Sequence, residues 1–200
     1  MKSAGNKKQE FLERKTHYRG PNRVGLVLAC LIIGVTVAFL FMGGKGKEQQ
    51  AERRFEGGNY QLGQTFNYQG QVIPMKDVEY QVEGGQIRLP LDQVLENKII
   101  YSQTSYVMAG GMPKALTAYA APSGRLAVAM AVCEPCRSLR FHIRGSLLVC
   151  DSCGTTWDLN TLVGLSGGCK EYPPEELPYE VKDGIIYISD QLVRSWQPRI

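Results

Sequence analysis

Hydrophobic and polar positions follow two different patterns along the chain. From Val24 to Met42, nineteen residues run without a charge. At about 1.5 Å per residue they reach roughly 28 Å, close to the hydrocarbon thickness of a bilayer. A run that is apolar on every face predicts a transmembrane helix over 24–42 rather than a buried helix of a soluble fold. Beyond Gly58 the pattern becomes short alternations punctuated by Gly and Pro. Asp77–Val82 and Gln86–Leu91 alternate around Glu83-Gly84-Gly85, a hairpin signal. Lys98–Ser102 and Ala115–Ala120 are further strand candidates, and Leu126–Val132 follows the turn Pro122-Ser123-Gly124. Leu139–Ile143 and Ser146–Val149 flank Arg144-Gly145 and predict a second hairpin. Ile185–Ile188 reads as a last strand, with Ser189 capping a final turn through Leu192. Met108 to Pro113 is a Gly-rich loop, and Glu171–Pro178, rich in Pro and Glu, an extended one. The fold class expected is a mainly β, small α+β domain behind one membrane helix.

Charge sharpens that division. Residues 1–23 carry seven Lys/Arg against two Glu, while residues 43–200 carry sixteen basic against seventeen acidic residues. The formal net charge of +4 is therefore a property of the tail. The folded part has no basic stripe to follow a phosphate backbone, so nucleic acid is not expected as a partner. No small-x-small cleavage site follows Met42, so the span reads as an uncleaved anchor. The basic excess before it predicts a cytoplasmic N-terminus and an extracytoplasmic C-terminal domain. The expected organisation is a basic tail over 1–23, a transmembrane helix over 24–42, a linker over 43–58 and a β-rich domain over 59–200.

Candidate chemistry begins at Cys133. The pattern is Cys133-x2-Cys136-x13-Cys150-x2-Cys153-x15-Cys169, five cysteines in the region 133–170. Two C-x-x-C units predict a tetrathiolate site. A two-residue spacer lets both sulfurs of a unit face one metal, and the intervening hairpin brings the units together. Sulfur ligation fits Zn²⁺ or iron–sulfur chemistry and excludes Ca²⁺ and Mg²⁺. A Rieske centre needs two His, and His17 precedes the span. The four expected metal ligands are Cys133, Cys136, Cys150 and Cys153. Cys169, after Gly167-Gly168, reads either as a fifth cofactor-side thiolate or as a free thiol. The competing reading is a disulfide framework, although five is an odd number and C-x-x-C pairs are short for structural bridges. His142 reads as a surface or packing residue, Trp157 as packing over the site. Met108, Met112 and Met130 read as core filling rather than copper ligands.

At these residues the chain resembles the FtrD-like family of membrane iron–sulfur proteins, over roughly Val78 to Leu192. The landmarks are Ile87-Arg88-Leu89-Pro90-Leu91, Gly124-Arg125-Leu126-Ala127-Val128-Ala129, Cys133 with Cys136, Cys150-Asp151-Ser152-Cys153-Gly154, and Gly167-Gly168-Cys169. The chain departs at Lys170-Glu171, where the family tends to read Asn-Pro after the cysteine, and in having a single span. The resemblance implies a membrane-anchored redox component with an iron–sulfur cluster, electron transfer during iron uptake, and an iron permease or another redox protein as partner. The residues alone leave three functions open: a redox carrier, a non-redox partner-binding module held by zinc or disulfides, and a thiol–disulfide exchange protein. No nucleophile triad or phosphate loop points to a conventional enzyme.

Overall fold

The computed structural model describes residues 57–200. The expected tail, the helix over 24–42 and most of the linker lie outside the described residues. No helix among the described residues is long and apolar enough to cross a membrane.

Three antiparallel-dominated sheets account for the β-rich pattern. The central sheet has the order β2 (Lys76–Asp77), β5 (Ile99–Val107), β6 (Pro113–Ala120) and β7 (Leu126–Met130). Strands β6 and β7 are buried along nearly their whole length. The period of two explains how. Leu116, Ala118 and Ala120 pair with Met130, Val128 and Leu126 and face one core, whereas Tyr119 and Ala127 face another. A strand covered on both sides reads as a continuous apolar run, as Leu126–Val132 does.

The first core lies between the central sheet and a sheet ordered β12 (Tyr179–Lys182), β13 (Ile185–Ser189), β4 (Gln86–Pro90) and β3 (Gln81–Glu83). Ile87, Leu89, Ile186 and Ile188 fill it and are fully buried, each stabilising by about 1.5–3 kcal/mol. The expected first hairpin turns at Gly84-Gly85, with Val82 opposite Ile87, but its first strand is only Gln81–Glu83 and not Asp77–Val82, because Asp77 pairs with β5 in the central sheet. Two short helices flank this core: α1 (Leu91–Asn97) and α2 (Asp190–Ser195). Ser189 caps α2 as expected, its side chain accepting from Leu192 N. The buried Lys114 ammonium closes the other end by donating to the carbonyls of Arg194 and Trp196, each at 2.6 Å.

The second core carries the cysteines. It lies between the central sheet and a five-stranded sheet ordered β1 (Val72–Pro74), β8 (Phe141–Arg144), β9 (Leu147–Cys150), β10 (Thr156–Asp158) and β11 (Gly164–Ser166). The second hairpin turns one residue later than the sequence reading, with Arg144 opposite Leu147. Its first strand begins at Phe141 rather than Leu139. Ser138 is engaged elsewhere, its carbonyl accepting from Cys133 N, and only Arg140 O still meets the second strand's side, accepting from Asp151 N.

Helix α1 and strands β1, β2, β10, β11 and β12 go beyond the sequence reading. The expected strand Gln86–Leu91 ends at Pro90, and Leu91 opens α1, burying Leu91 and Val94 on one face. The Pro/Glu-rich segment 171–178 is pinned against β7 rather than free. Met130 N donates to Glu175 O and Leu177 N to Val128 O, and the Arg125 guanidinium pairs with the Glu176 carboxylate at 2.5 Å.

Candidate metal centre

Each C-x-x-C unit folds into the same small loop. In Cys133–Ser138, Cys133 N donates to Ser138 O at 2.8 Å and Arg137 has φ 57°. In Cys150–Thr155, Cys150 N donates to Thr155 O at 2.9 Å and Gly154 has φ 68°. The left-handed residue after the second cysteine reverses the chain, so that both sulfurs of a loop face inward. Gly154 adopts that conformation freely, whereas Arg137 occupies a region that L side chains rarely adopt.

Different elements deliver the two loops to one place. Cys133 leaves β7 and Cys150 is the last residue of β9. Cys169 comes from the turn after β11, on the far side of β10. Gly167 allows that approach: a Cβ there would meet Thr155 Oγ1 at 2.5 Å and Thr155 Cα at 2.7 Å. Gly168 has open space around it, so of the two glycines only Gly167 serves a close approach.

The five thiols converge. Cys133 Sγ lies 3.9 Å from Cys153 Sγ, Cys136 Sγ 3.6 Å from Cys150 Sγ, and Cys153 Sγ 3.7 Å from Cys169 Sγ. All five are separate thiols, and these gaps far exceed the about 2.05 Å of a disulfide bond. The sulfurs of Cys133, Cys136, Cys153 and Cys169 all lie within 4.8 Å of one another and can hold a metal ion. That quartet differs from the one expected from the two C-x-x-C units, because Cys169 takes the place of Cys150. Cys133, Cys150 and Cys169 are buried, Cys136 is half-buried, and Cys153 is exposed.

The family model for the membrane iron-sulfur containing protein FtrD-like matches residues 94–200. The chain belongs to that family. No curated protein and no solved structure matches it. The donors of this FtrD-like centre fit thiolate-bound iron, since soft sulfur is the common ligand of iron–sulfur and zinc sites. Their spacing fits a single ion. Metal–sulfur bonds of about 2.3 Å in tetrahedral array place the sulfurs about 3.8 Å apart.

Local hydrogen bonds divide the protons unevenly. The bond shared with Cys133 pushes the Cys150 thiol well below its usual range, against burial, and the Cys153 and Ser152 amides and the Ser138 hydroxyl add to the effect. The same shared bond, with burial, pushes Cys133 up. Burial pushes Cys136 up to about 11. Cys153 is held below its ordinary value: burial opposes this, but the Thr155 hydroxyl and backbone outweigh it.

Several partners of the centre were not singled out in the sequence. Thr155 is fully buried, its hydroxyl 3.2 Å from Cys153 Sγ. Glu134, inside the first loop, receives the Arg199 backbone N–H and guanidinium. A signal was available for one class: both units read C-x-x-C-x-Ser/Thr, ending in Ser138 and Thr155. Trp157 packs in the cysteine core, fully buried, and donates from Nε1 to Lys170 O at 3.1 Å. His142 sits on the outer side of its hairpin, with Nδ1 2.7 Å from Asp151 Oδ1. Met108, Met112 and Met130 pack in the first core and not among the cysteines.

Proposed function

We propose that this chain is a membrane-tethered electron carrier whose redox centre is iron held by the cysteine thiolates. The observation that carries the reading is the thiol quartet within 4.8 Å, with Cys153 alone exposed. Buried thiolates exclude water and hold the centre in one geometry, while an exposed ligand gives electrons a short route to a partner. The basic excess at the N-terminus supports a cytoplasmic tail and an extracytoplasmic domain. Family membership supports a membrane setting and iron–sulfur chemistry. Electron transfer during iron uptake, with an iron permease or another redox protein as partner, is the role that fits best. The test is anaerobic purification of the full chain in detergent, followed by metal analysis and absorption spectra before and after dithionite. Iron with reversible bleaching is the expected result. A colourless protein that never takes up iron would overturn the reading.

A structural zinc site is the second reading, favoured by the same spacing and by the burial of three of the five thiols. It predicts zinc at one ion per chain and no change with reductant.

A further inference from the structure

Four places surround a tetrahedral ion, and five thiols surround this centre. Cys133, Cys136 and Cys153 belong to the mutually close quartet completed by Cys169. They also belong to the set expected from the two C-x-x-C loops, which Cys150 completes. Cys150 is no distant spare. Its sulfur is 3.6 Å from that of Cys136, within the edge of a single-ion tetrahedron. Cys150 and Cys169 approach from different elements, one at the end of β9 and the other after β11, and both are buried.

The quartet's spacing also bears on how many ions the centre takes. In a four-iron cluster each thiolate binds a different iron at the periphery, which spreads the sulfurs beyond the edge of one tetrahedron. Sulfurs all within 4.8 Å of one another are close enough to hold one ion between them. We propose that the centre takes a single ion, with Cys133, Cys136 and Cys153 as constant ligands and Cys150 and Cys169 as alternative fourth ligands. The proposal rests on the metal reading given above. Exchange forms one metal–sulfur bond as another breaks. The incoming thiol gives up its proton and the outgoing thiolate takes one up, so the charge and oxidation state of the ion are unchanged. An ion held this way changes one ligand without opening either loop.

Co²⁺ is a suitable probe, because thiolate-to-cobalt charge transfer counts the bound sulfurs. The full chain in detergent is titrated with Co²⁺ as wild type, Cys150→Ser, Cys169→Ser and the double variant. One ion per chain is expected, with four-thiolate intensity in the wild type and in both single variants. The double variant should lose about a quarter of the charge-transfer intensity, as one of four thiolates goes, and bind more weakly. A single variant that drops to three-thiolate intensity, or fails to fold with Co²⁺ present, makes that cysteine the sole fourth ligand and overturns the proposal. A double variant that keeps four-thiolate intensity overturns it as well. Iron loading of the wild type separates the two readings. Several irons with inorganic sulfide would refute the single ion and leave the metal centre standing, whereas no binding of Co²⁺, Zn²⁺ or iron would refute both.

Discussion

The backbone N–H of Cys169 donates to the Thr155 hydroxyl oxygen at 3.2 Å, and that oxygen lies 3.2 Å from the Cys153 sulfur. One buried hydroxyl therefore ties the Gly-Gly-Cys turn to the second C-x-x-C loop. With its oxygen accepting from Cys169, the hydroxyl proton is free to point at Cys153 once that sulfur is a thiolate. Thr155→Val removes the donor to a charged acceptor, worth about 1.5–3 kcal/mol, and leaves the Cys169 amide without its partner. Metal affinity should fall about 10–100-fold, as for loss of other partners that orient ligands. Thr155→Ser should restore most of it. Competition with a chelator measures both. Equal affinity of the Val and wild-type proteins would show that the hydroxyl is only a packing group.

The two glycines before Cys169 should differ sharply in their tolerance of a methyl group. Gly167 has φ 98° and no room for a Cβ, which would press on Thr155. Gly168 has nothing within 4 Å of that position. Gly167→Ala should destabilise the domain by more than about 1 kcal/mol and loosen metal binding. Gly168→Ala should do neither. Thermal melts with and without Zn²⁺ decide it. Equal effects would mean that the segment does not rest on Thr155.

The Arg125–Glu176 pair pins the Pro/Glu-rich segment to β7, with side chains 7% and 3% exposed. Arg125 also donates to Asn160 O at 2.8 Å. Burial raises the Glu176 pKa, and Arg125 opposes the rise. Arg125→Met leaves a buried carboxylate without its cation, a loss of about 3–5 kcal/mol at neutral pH. The sign of the pH effect follows from the direction of the shift. A carboxyl whose folded pKa is raised is protonated in both states below its unfolded pKa, so the loss is smallest there. As pH climbs from that value through the folded pKa, the unfolded chain releases a proton that the folded chain retains, and stability falls. Urea melts should therefore find the variant closer to wild type near pH 4 than at pH 7. A loss independent of pH would mean that Arg125 acts through packing alone.

The sequence disclosed the hairpins more readily than the layers around them. Glu83-Gly84-Gly85 and Arg144-Gly145 are local signals, and both produce hairpins within a residue of the expected turn. Helix α1 escaped because Leu91 continues the alternation of β4 before Val94 reveals a helical face. Strand β12 escaped because it is a half-exposed edge strand with the pattern Tyr-Glu-Val-Lys. The five cysteines were legible from their spacing, but their grouping was not. Spacing alone joins Cys150 to its C-x-x-C partner, whereas the fold carries Cys169 back across β10 to the same cluster. That return depends on Gly167 fitting against Thr155, a tertiary contact that leaves no periodic trace.

Trp157 offers a direct view of that cluster. It shares the second core with Cys133, Cys150 and Cys169, stacks edge-on against Phe141 with ring centroids 6.0 Å apart, and holds the turn before Tyr172 through Lys170 O. Trp196 belongs to the first core and donates instead to Glu175 Oε2 at 2.9 Å. A metal–thiolate centre with charge-transfer bands in the near ultraviolet takes up excitation from a nearby indole. Loading with Co²⁺ or iron should therefore quench Trp157 emission strongly and Trp196 emission weakly, and a chelator should reverse both. Trp196→Phe should retain the quenching. Trp157→Phe should abolish most of it, and should destabilise the domain by about 1–3 kcal/mol, because the Lys170 carbonyl loses its donor. Quenching that persists in Trp157→Phe and disappears in Trp196→Phe would put the metal at the first core, where Met108 and Met112 lie, and not among the cysteines.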